Sequence, residues 1–133
     1  MATETRTFRT QNPYEIKFRY CRAVRKGPFI FVSGTTAIDG ETGALLHPDS
    51  AFDQATQIFG EIRRAVEALG GKKEDIVRVR MFVKDAPDQG DVAKALRDAE
   101  FGTEEGPAAT MVAGAVFVQN DMKVEIEADA VVF

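Results

Sequence analysis

The chain has 133 residues, about the usual size of one globular domain, and its 44% hydrophobic and 29% charged residues exclude a disordered or collagen-like chain. Its one cysteine, Cys21, excludes an intrachain disulfide framework, and a formal net charge of −4 does not favour binding to a phosphate backbone. We therefore expect a single domain over residues 1–133, large enough to enclose one hydrophobic core.

Hydrophobic periodicity predicts three strands in the first part of the chain. The first covers residues 6–10 and is followed by a polar loop at residues 11–13. The second covers residues 18–24, where alternation places Phe18, Tyr20 and Arg22 on one face. A turn at residues 26–28 then leads into a buried strand over residues 29–34.

The second part of the chain predicts two helices and three strands. An amphipathic helix begins after Ser50 and ends before the Gly70-Gly71 pair. A strictly alternating strand covers residues 76–84, with Val77 on the apolar face and Ile76 on the face that carries arginines. A second helix fits residues 87–101, and two further strands fit residues 108–116 and 122–132.

This order of elements predicts an α+β fold, a mixed sheet of about six strands with two helices packed on one face. The strands at residues 76–84 and 122–132 carry apolar groups on both sides. Since two helices on one face leave the other uncovered, we expect further copies of the chain to cover it.

Residues of catalytic type are few. The sequence contains neither a phosphate-binding glycine fingerprint nor a nucleophile elbow. His47 lies in a turn-rich segment and is expected to be exposed; a Ser-His-Asp or Cys-His site needs it to fold inwards. Cys21 is interpreted as a buried thiol in a strand. With one histidine and one cysteine, no metal site is expected within one chain.

Acidic side chains alternate along the last strand at Glu125, Glu127 and Asp129 and so project from one face. A solvated face is the favoured interpretation, because three neighbouring like charges are costly unless exposed or paired. The alternative is that one carboxyl, buried in a cleft, acts as a general acid or base or holds a water molecule. Surface salt bridges are likewise favoured for Arg22 and Arg80.

Several segments, taken in order, resemble the signature blocks of the Rid/YjgF family of reactive-intermediate deaminases, whose members are also described as endoribonuclease L-PSP or translation initiation inhibitors. These are Phe-Val-Ser-Gly at residues 31–34, the strand at residues 76–85, Pro107-Ala108 and Val-Glu-Ile-Glu-Ala at residues 124–128. The resemblance covers residues 18–132. It implies a chorismate-mutase-like fold and a homotrimer with small-molecule clefts between subunits.

The resemblance also implies a chemistry. Deaminases of this family hydrolyse enamine or imine intermediates, such as 2-aminoacrylate, to a keto acid and ammonia without a metal or organic cofactor. Glu125 matches their water-positioning glutamate and Tyr20 their cleft tyrosine. Their substrate-gripping arginine is replaced by Ala109, Thr35 stands where glutamine is common, and Ala93 where asparagine is common. This combination resembles Arg-lacking subgroups, for which deaminase activity is not implied.

The predicted site therefore has Glu125 as its catalytic residue and no metal or cofactor. Arg22 or Arg80 is the candidate to supply the positive charge that is lost at Ala109. The predicted ligand-binding residues are Tyr20, Arg22, Ser33, Gly34, Thr35, Arg80, Ala109 and Thr110.

Two functions remain in competition. One is a cofactor-independent hydrolase or deaminase-like enzyme for an imine, enamine or related metabolite, with little 2-aminoacrylate deaminase activity. The other is a non-catalytic trimer that binds a metabolite or regulates a protein. A ribonuclease fits poorly with an acidic chain that has one histidine, so nucleic acid is not an expected partner. Short apolar runs and a polar segment at residues 1–6 predict a cytoplasmic protein without membrane contact.

Overall fold

The computed structural model describes residues 4–133. Residues 1–3, part of the polar N-terminal segment considered above, lie outside the described residues. The strands are β1 (Thr5–Phe8), β2 (Ala23–Lys26), β3 (Phe29–Thr35), β4 (Ile76–Val83), β5 (Ala108–Ala113) and β6 (Val124–Val131). The helices are α1 (Pro13–Phe18), α2 (Ala51–Ala68) and α3 (Gln89–Ala99), and single 3-10 turns at Lys73–Asp75 and Ala86–Asp88 precede β4 and α3.

The strands form one six-stranded mixed sheet in the order β1-β2-β3-β6-β4-β5. Only β4 and β5 pair in parallel; the other neighbours are antiparallel. Helix α2 packs on β3 and β6, and α3 packs against α2. The predicted mixed sheet of about six strands is therefore confirmed.

Helix α2 has capping residues at both ends and an apolar stripe on one face. The Ser50 hydroxyl accepts a hydrogen bond from the Asp53 amide at 3.0 Å, which caps the first turn. Gly70, with a φ of +90°, follows the last turn. The apolar stripe is buried against the sheet, and its Phe59 ring meets the Phe101 ring edge to face at 5.5 Å. Buried apolar residues of this layer and the sheet form the core.

The predicted strand over residues 18–24 is wrong for residues 18–22, because β2 begins only at Ala23. Residues 13–18 form α1, a third helix, because the Asn12 side chain accepts a hydrogen bond from the Tyr14 amide and Pro13 occupies the first helical turn. Arg19, with a φ of +56°, ends the helix. Cys21 is half-buried in the segment before β2 and is not central in a strand.

The predicted alternation of β4 is also wrong at its start. The pairing of β4 with β6 shifts between Ile76 and Arg78, so a bulge places Ile76 on the core face together with Val79. Val77 is 45% exposed instead of lying on the apolar face. Beyond the bulge, the alternation holds to Val83.

The sheet face opposite α2 and α3 is called the open face below. It carries apolar side chains that remain exposed, among them Phe31 at 51% and Val112 at 47%. It also carries an ion-pair network, in which Arg80 lies 3.1 Å from both Glu127 and Asp129. An apolar face of this kind is where another copy of the chain would be expected to pack.

Candidate functional site

A cavity of about 200 Å³ lies where α1, the end of β3 and the start of β6 meet. It is called the Glu125 cavity below. Three of the residues predicted for the site, Tyr20, Gly34 and Glu125, line it. The remaining lining residues are Asn12, Tyr14, Phe18, Thr36, Val118 and Met122.

A bulge in β3 shapes one wall of the cavity. Val32 pairs with Ala128 and Thr35 with Ile126, so Ser33 and Gly34 leave the regular ladder. The Ser33 hydroxyl donates to the Cys21 carbonyl at 2.8 Å, and the Thr35 hydroxyl donates to the Ser33 carbonyl at 2.8 Å. Ser33 and Thr35 therefore hold the bulge in shape and do not line the cavity.

Gly34 lies directly against the carboxyl of Glu125. A Cβ atom at position 34 would lie 2.7 Å from Oε2 of Glu125, which is closer than real Cβ atoms come to other atoms. Glycine is the residue that leaves this carboxyl its space.

Glu125 is half-buried, and its surroundings raise its pKa. Burial raises the pKa of Glu125 above its ordinary value of 4.5, the charge of Arg22 lowers it, and the charge of Glu127 raises it. The net result is a raised pKa, so this carboxyl holds its proton more tightly than an ordinary glutamate. A raised pKa makes this carboxyl a stronger proton acceptor, when ionised, than an ordinary glutamate, which is a property of general bases.

Arg22 lies behind the cavity wall. Its side chain is 2% exposed, and its Nη1 donates to the Gly34 carbonyl at 2.9 Å and to the Thr35 hydroxyl at 3.1 Å. Its Nη2 donates to the Tyr20 hydroxyl at 3.2 Å, and its Nε faces Glu15. Arg22 thus affects the cavity through other residues and does not line it.

Arg80 lies outside the Glu125 cavity, on the open face. Its two terminal nitrogens lie 3.1 Å from the carboxylates of Glu127 and Asp129. This is the salt-bridge arrangement that the sequence favours for Arg80. It also shows how two of the three alternating carboxylates of β6 are balanced.

Ala109 and Thr110 lie on the edge strand β5, which β4 separates from β6. Ala109 pairs with Val79 and Thr110 with Arg80, so the two side chains are on opposite faces of the sheet. Both are exposed, and neither lines the Glu125 cavity. Within one chain, the predicted site is therefore split between the cavity and the far edge of the sheet.

Sequence reasoning missed the contribution of α1. Tyr14 and Phe18 stack with ring centroids 6.4 Å apart, and the Gln119 amide donates to the Tyr14 hydroxyl at 2.8 Å. The signal that could have found this wall is the Asn12-Pro13 pair, an N-cap followed by a proline in the first turn. His47 lies elsewhere and is exposed, as expected.

Two further observations concern the part of the chain that the structure describes. No helix within residues 4–133 is both long and apolar enough to cross a membrane. Within the same residues, no group of three or more histidine, cysteine, aspartate or glutamate side chains is arranged to hold a metal ion.

Comparisons with known proteins agree on one family. Residues 10–132 match the sequence profile described as Endoribonuclease L-PSP. A 2-iminobutanoate/2-iminopropanoate deaminase from Salmonella typhimurium is 36% identical over 129 residues, which cover 96% of this chain and 98% of that protein. A RutC family protein from Pyrococcus horikoshii is 32% identical over 111 residues, 84% of this chain and 85% of that protein.

Solved structures of similar proteins have the same fold. A Mycobacterium tuberculosis member of the YjgF/YER057c/UK114 family superposes with a TM-score of 0.83 at 29% identity, covering 97% of this chain and all of that one. The YjgF gene product of Escherichia coli superposes with a TM-score of 0.81 at 33% identity, covering 95% of this chain and 98% of that one.

Proposed function

Since this chain belongs to the endoribonuclease L-PSP family, which includes the Rid/YjgF proteins, we propose that the Glu125 cavity is the site of a cofactor-independent hydrolase. Its substrate would be a small imine, enamine or related metabolite. Relatives that are named 2-iminobutanoate/2-iminopropanoate deaminase support this reaction class.

The observation that carries the proposal is the carboxyl of Glu125, half-buried in a cavity beside the Tyr20 hydroxyl. In the ionised form, Glu125 would accept a proton from the water that attacks the C=N carbon. Passing that proton to the nitrogen would give a carbinolamine, with Glu125 ionised again. Glu125 would then take the hydroxyl proton of the carbinolamine and deliver it to the nitrogen, so that the C=O bond forms as the C–N bond breaks and ammonia leaves. The Tyr20 oxygen accepts from Arg22, which leaves its own hydrogen to donate towards a ligand.

The substitution at Ala109 argues against efficient hydrolysis of 2-aminoacrylate. A bidentate contact between arginine and a substrate carboxylate is worth about 2–5 kcal/mol in a desolvated cleft. Arg22 uses its terminal nitrogens inside the protein, and Arg80 is paired with two carboxylates. We therefore propose that the preferred substrate is one whose binding does not require an arginine to hold a carboxylate group.

The proposed active unit is a homotrimer. The exposed apolar side chains of the open face support it, because packing against further copies would bury them. Assembly would also offer a way for the edge strand that carries Ala109 and Thr110 to approach the Glu125 cavity of a neighbouring copy.

The test measures ammonia release from iminopyruvate and from imines without a carboxylate, all generated in situ. We expect the chain to hydrolyse iminopyruvate far more slowly than the Salmonella relative does. We expect Glu125→Gln to lower turnover of the best substrate by about 100-fold or more. The matched control is Glu104→Gln, which changes an exposed carboxyl of the loop before β5 and should keep the wild-type rate.

Unchanged turnover in Glu125→Gln would contradict the assignment.

The second candidate function is a non-catalytic trimer that binds a metabolite or regulates a protein. It is favoured by Ala109, which stands where the deaminases have their substrate-binding arginine. It predicts no turnover of any of these imines together with ligand binding that Glu125→Gln weakens.

A further inference from the structure

A buried ion pair joins α1 to the segment before β2. The side chain of Glu15 is 0% exposed and that of Arg22 is 2% exposed, and Nε of Arg22 lies 3.3 Å from Oε2 of Glu15. The Nε group makes no hydrogen bond of good geometry, so charge attraction holds the two groups together. Glu15 is further bound by the amide of Thr10 at 2.8 Å and by its hydroxyl.

Stability alone is a poor reason for this arrangement. Burying two charges costs several kcal/mol for each ion, and replacing such a pair by apolar residues is often neutral or stabilising. The other hydrogen bonds of Arg22 suggest that the buried pair serves the cavity. They reach the Tyr20 hydroxyl, the Gly34 carbonyl and the Thr35 hydroxyl.

These contacts fix two walls of the Glu125 cavity at once. The Arg22 guanidinium lies 5.4 Å from the centre of the Tyr20 ring and also donates to its hydroxyl. On the other side it holds the carbonyl of Gly34, whose Cα lies against the carboxyl of Glu125. A displacement of Arg22 would therefore move both groups that face this carboxyl.

The charges around Glu125 come from several elements. Lys123, just before β6, and Glu127, on β6, flank it at alternate positions, and β4 supplies Arg80, which is paired with Glu127. Of the titratable groups of α1 and the following segment, Glu15 and Arg22 are buried, Tyr14, Tyr20 and Cys21 are half-buried, and Lys17 and Arg19 are exposed. The sequence of β3 contains no titratable group. Arg22 is the positive charge that acts on Glu125, and its own counter-ion is Glu15.

We propose that the Glu15–Arg22 pair is a positioning device for the cavity. Arg22 fixes the Tyr20 hydroxyl and the Gly34 turn and places a permanent positive charge behind Glu125. Glu15 holds Arg22 in place and offsets part of that charge. Both are positioning residues, and the inference rests on the proposed function because that function places the reacting groups at Glu125.

The test is a titration of the Glu125 carboxyl by carbon-13 NMR, with its signal assigned by its loss in Glu125→Gln. Arg22→Met removes the positive charge, so the titration midpoint of Glu125 should move to higher pH. Glu15→Gln removes the counter-ion and leaves Arg22 charged, so the midpoint should move to lower pH. A purely structural role gives no reason for shifts of opposite sign.

Two further variants keep the inference testable if a single charge removal prevents folding. Arg22→Lys keeps the charge and should keep the midpoint, but it should change the Tyr20 ring signals because the planar guanidinium contacts are lost. The double variant Glu15→Gln/Arg22→Met buries no lone charge and should show a raised midpoint, since Arg22 acts on Glu125 more strongly than Glu15 does.

Shifts of the same sign in the two single variants, or no shift in any variant, would overturn the inference. A midpoint in Arg22→Lys as high as that in Arg22→Met would do so as well. The titration needs no substrate, so its failure is separate from that of the proposed hydrolase, which the turnover of Glu125→Gln decides.

Discussion

At the scale of the residue, Glu125 should make the stability of the protein depend on pH. Burial and the charge of Glu127 raise its pKa above the ordinary 4.5, although Arg22 lowers it. The folded chain therefore holds this proton more tightly than the unfolded chain does. That contribution to stability is complete below about pH 4.5 and is lost as the pH rises through the folded pKa.

The variant Glu125→Gln should not lose stability in this way as the pH rises, because the glutamine amide does not ionise. We expect its free energy of unfolding, minus that of the wild type, to increase as the pH rises above 4.5 and then to level off. Urea denaturation at a series of pH values measures the difference. Glu104→Gln should follow the wild type throughout, and a difference for Glu125→Gln that falls with pH would contradict the prediction.

The chemistry of single residues could be predicted in part. Alternation along the last strand placed Glu125, Glu127 and Asp129 on one face, and the structure agrees. The sequence does not separate the roles of Arg22 and Arg80, because the alternation pattern predicts both on strand faces. The path of the chain after α1 buries Arg22 behind the cavity, whereas the pairing of β4 with β6 places Arg80 among carboxylates.

At the scale of the element, the bulge in β3 determines the space beside Glu125. In Gly34→Ala, the new Cβ would meet Oε2 of Glu125 at 2.7 Å, and the flexible end of that side chain can swing away. We therefore expect a stability cost of about 1 kcal/mol or less. Turnover or ligand binding at the cavity should fall much more, because the carboxyl is displaced. Thermal unfolding and the imine assay measure the two effects.

Gly60→Ala is the matched control for this change. Gly60 lies inside α2, and nothing lies within 4 Å of a Cβ at this position. Alanine there should stabilise the helix by about 0.5–1 kcal/mol and leave the cavity unchanged. If Gly34→Ala kept full function at the cavity, the close approach of Gly34 to Glu125 would have no functional meaning.

The sequence predicts an element correctly where its hydrophobic pattern repeats over many residues. It fails where the element is short or where a bulge interrupts the pattern. Helix α2 has 18 residues and shows several turns of its apolar stripe. Helix α1 has six residues, too few to distinguish its pattern from an alternating strand. The bulge at Val77 inserts one extra residue into β4, and nothing in the sequence of this strand marks it. Because side chains alternate between the two faces of a sheet, residues before the bulge point to the face opposite to the predicted one.

At the scale of the whole molecule, the arrangement of layers could be predicted and the complete site could not. The order of elements is sufficient to place α2 and α3 on one side of a mixed sheet. The cavity of one chain, however, lacks Ala109 and Thr110, which lie at the opposite edge strand. The proposed site, which would join distant parts of two copies, would be set by quaternary geometry, which hydrophobic periodicity does not describe.

The open face should therefore control assembly. We expect light scattering after size exclusion to give three times the 14.6-kDa chain mass for the wild type. Phe31→Lys should give a folded monomer, because Phe31 is 51% exposed within one chain and a lysine there would put a charge into the apolar contact between copies. Asp129, its cross-strand partner, provides an opposite charge beside the new lysine. Phe133→Lys, the same change at the fully exposed last residue, should remain trimeric. A monomeric wild type, or a trimeric Phe31→Lys, would show that this face is not the surface through which copies associate.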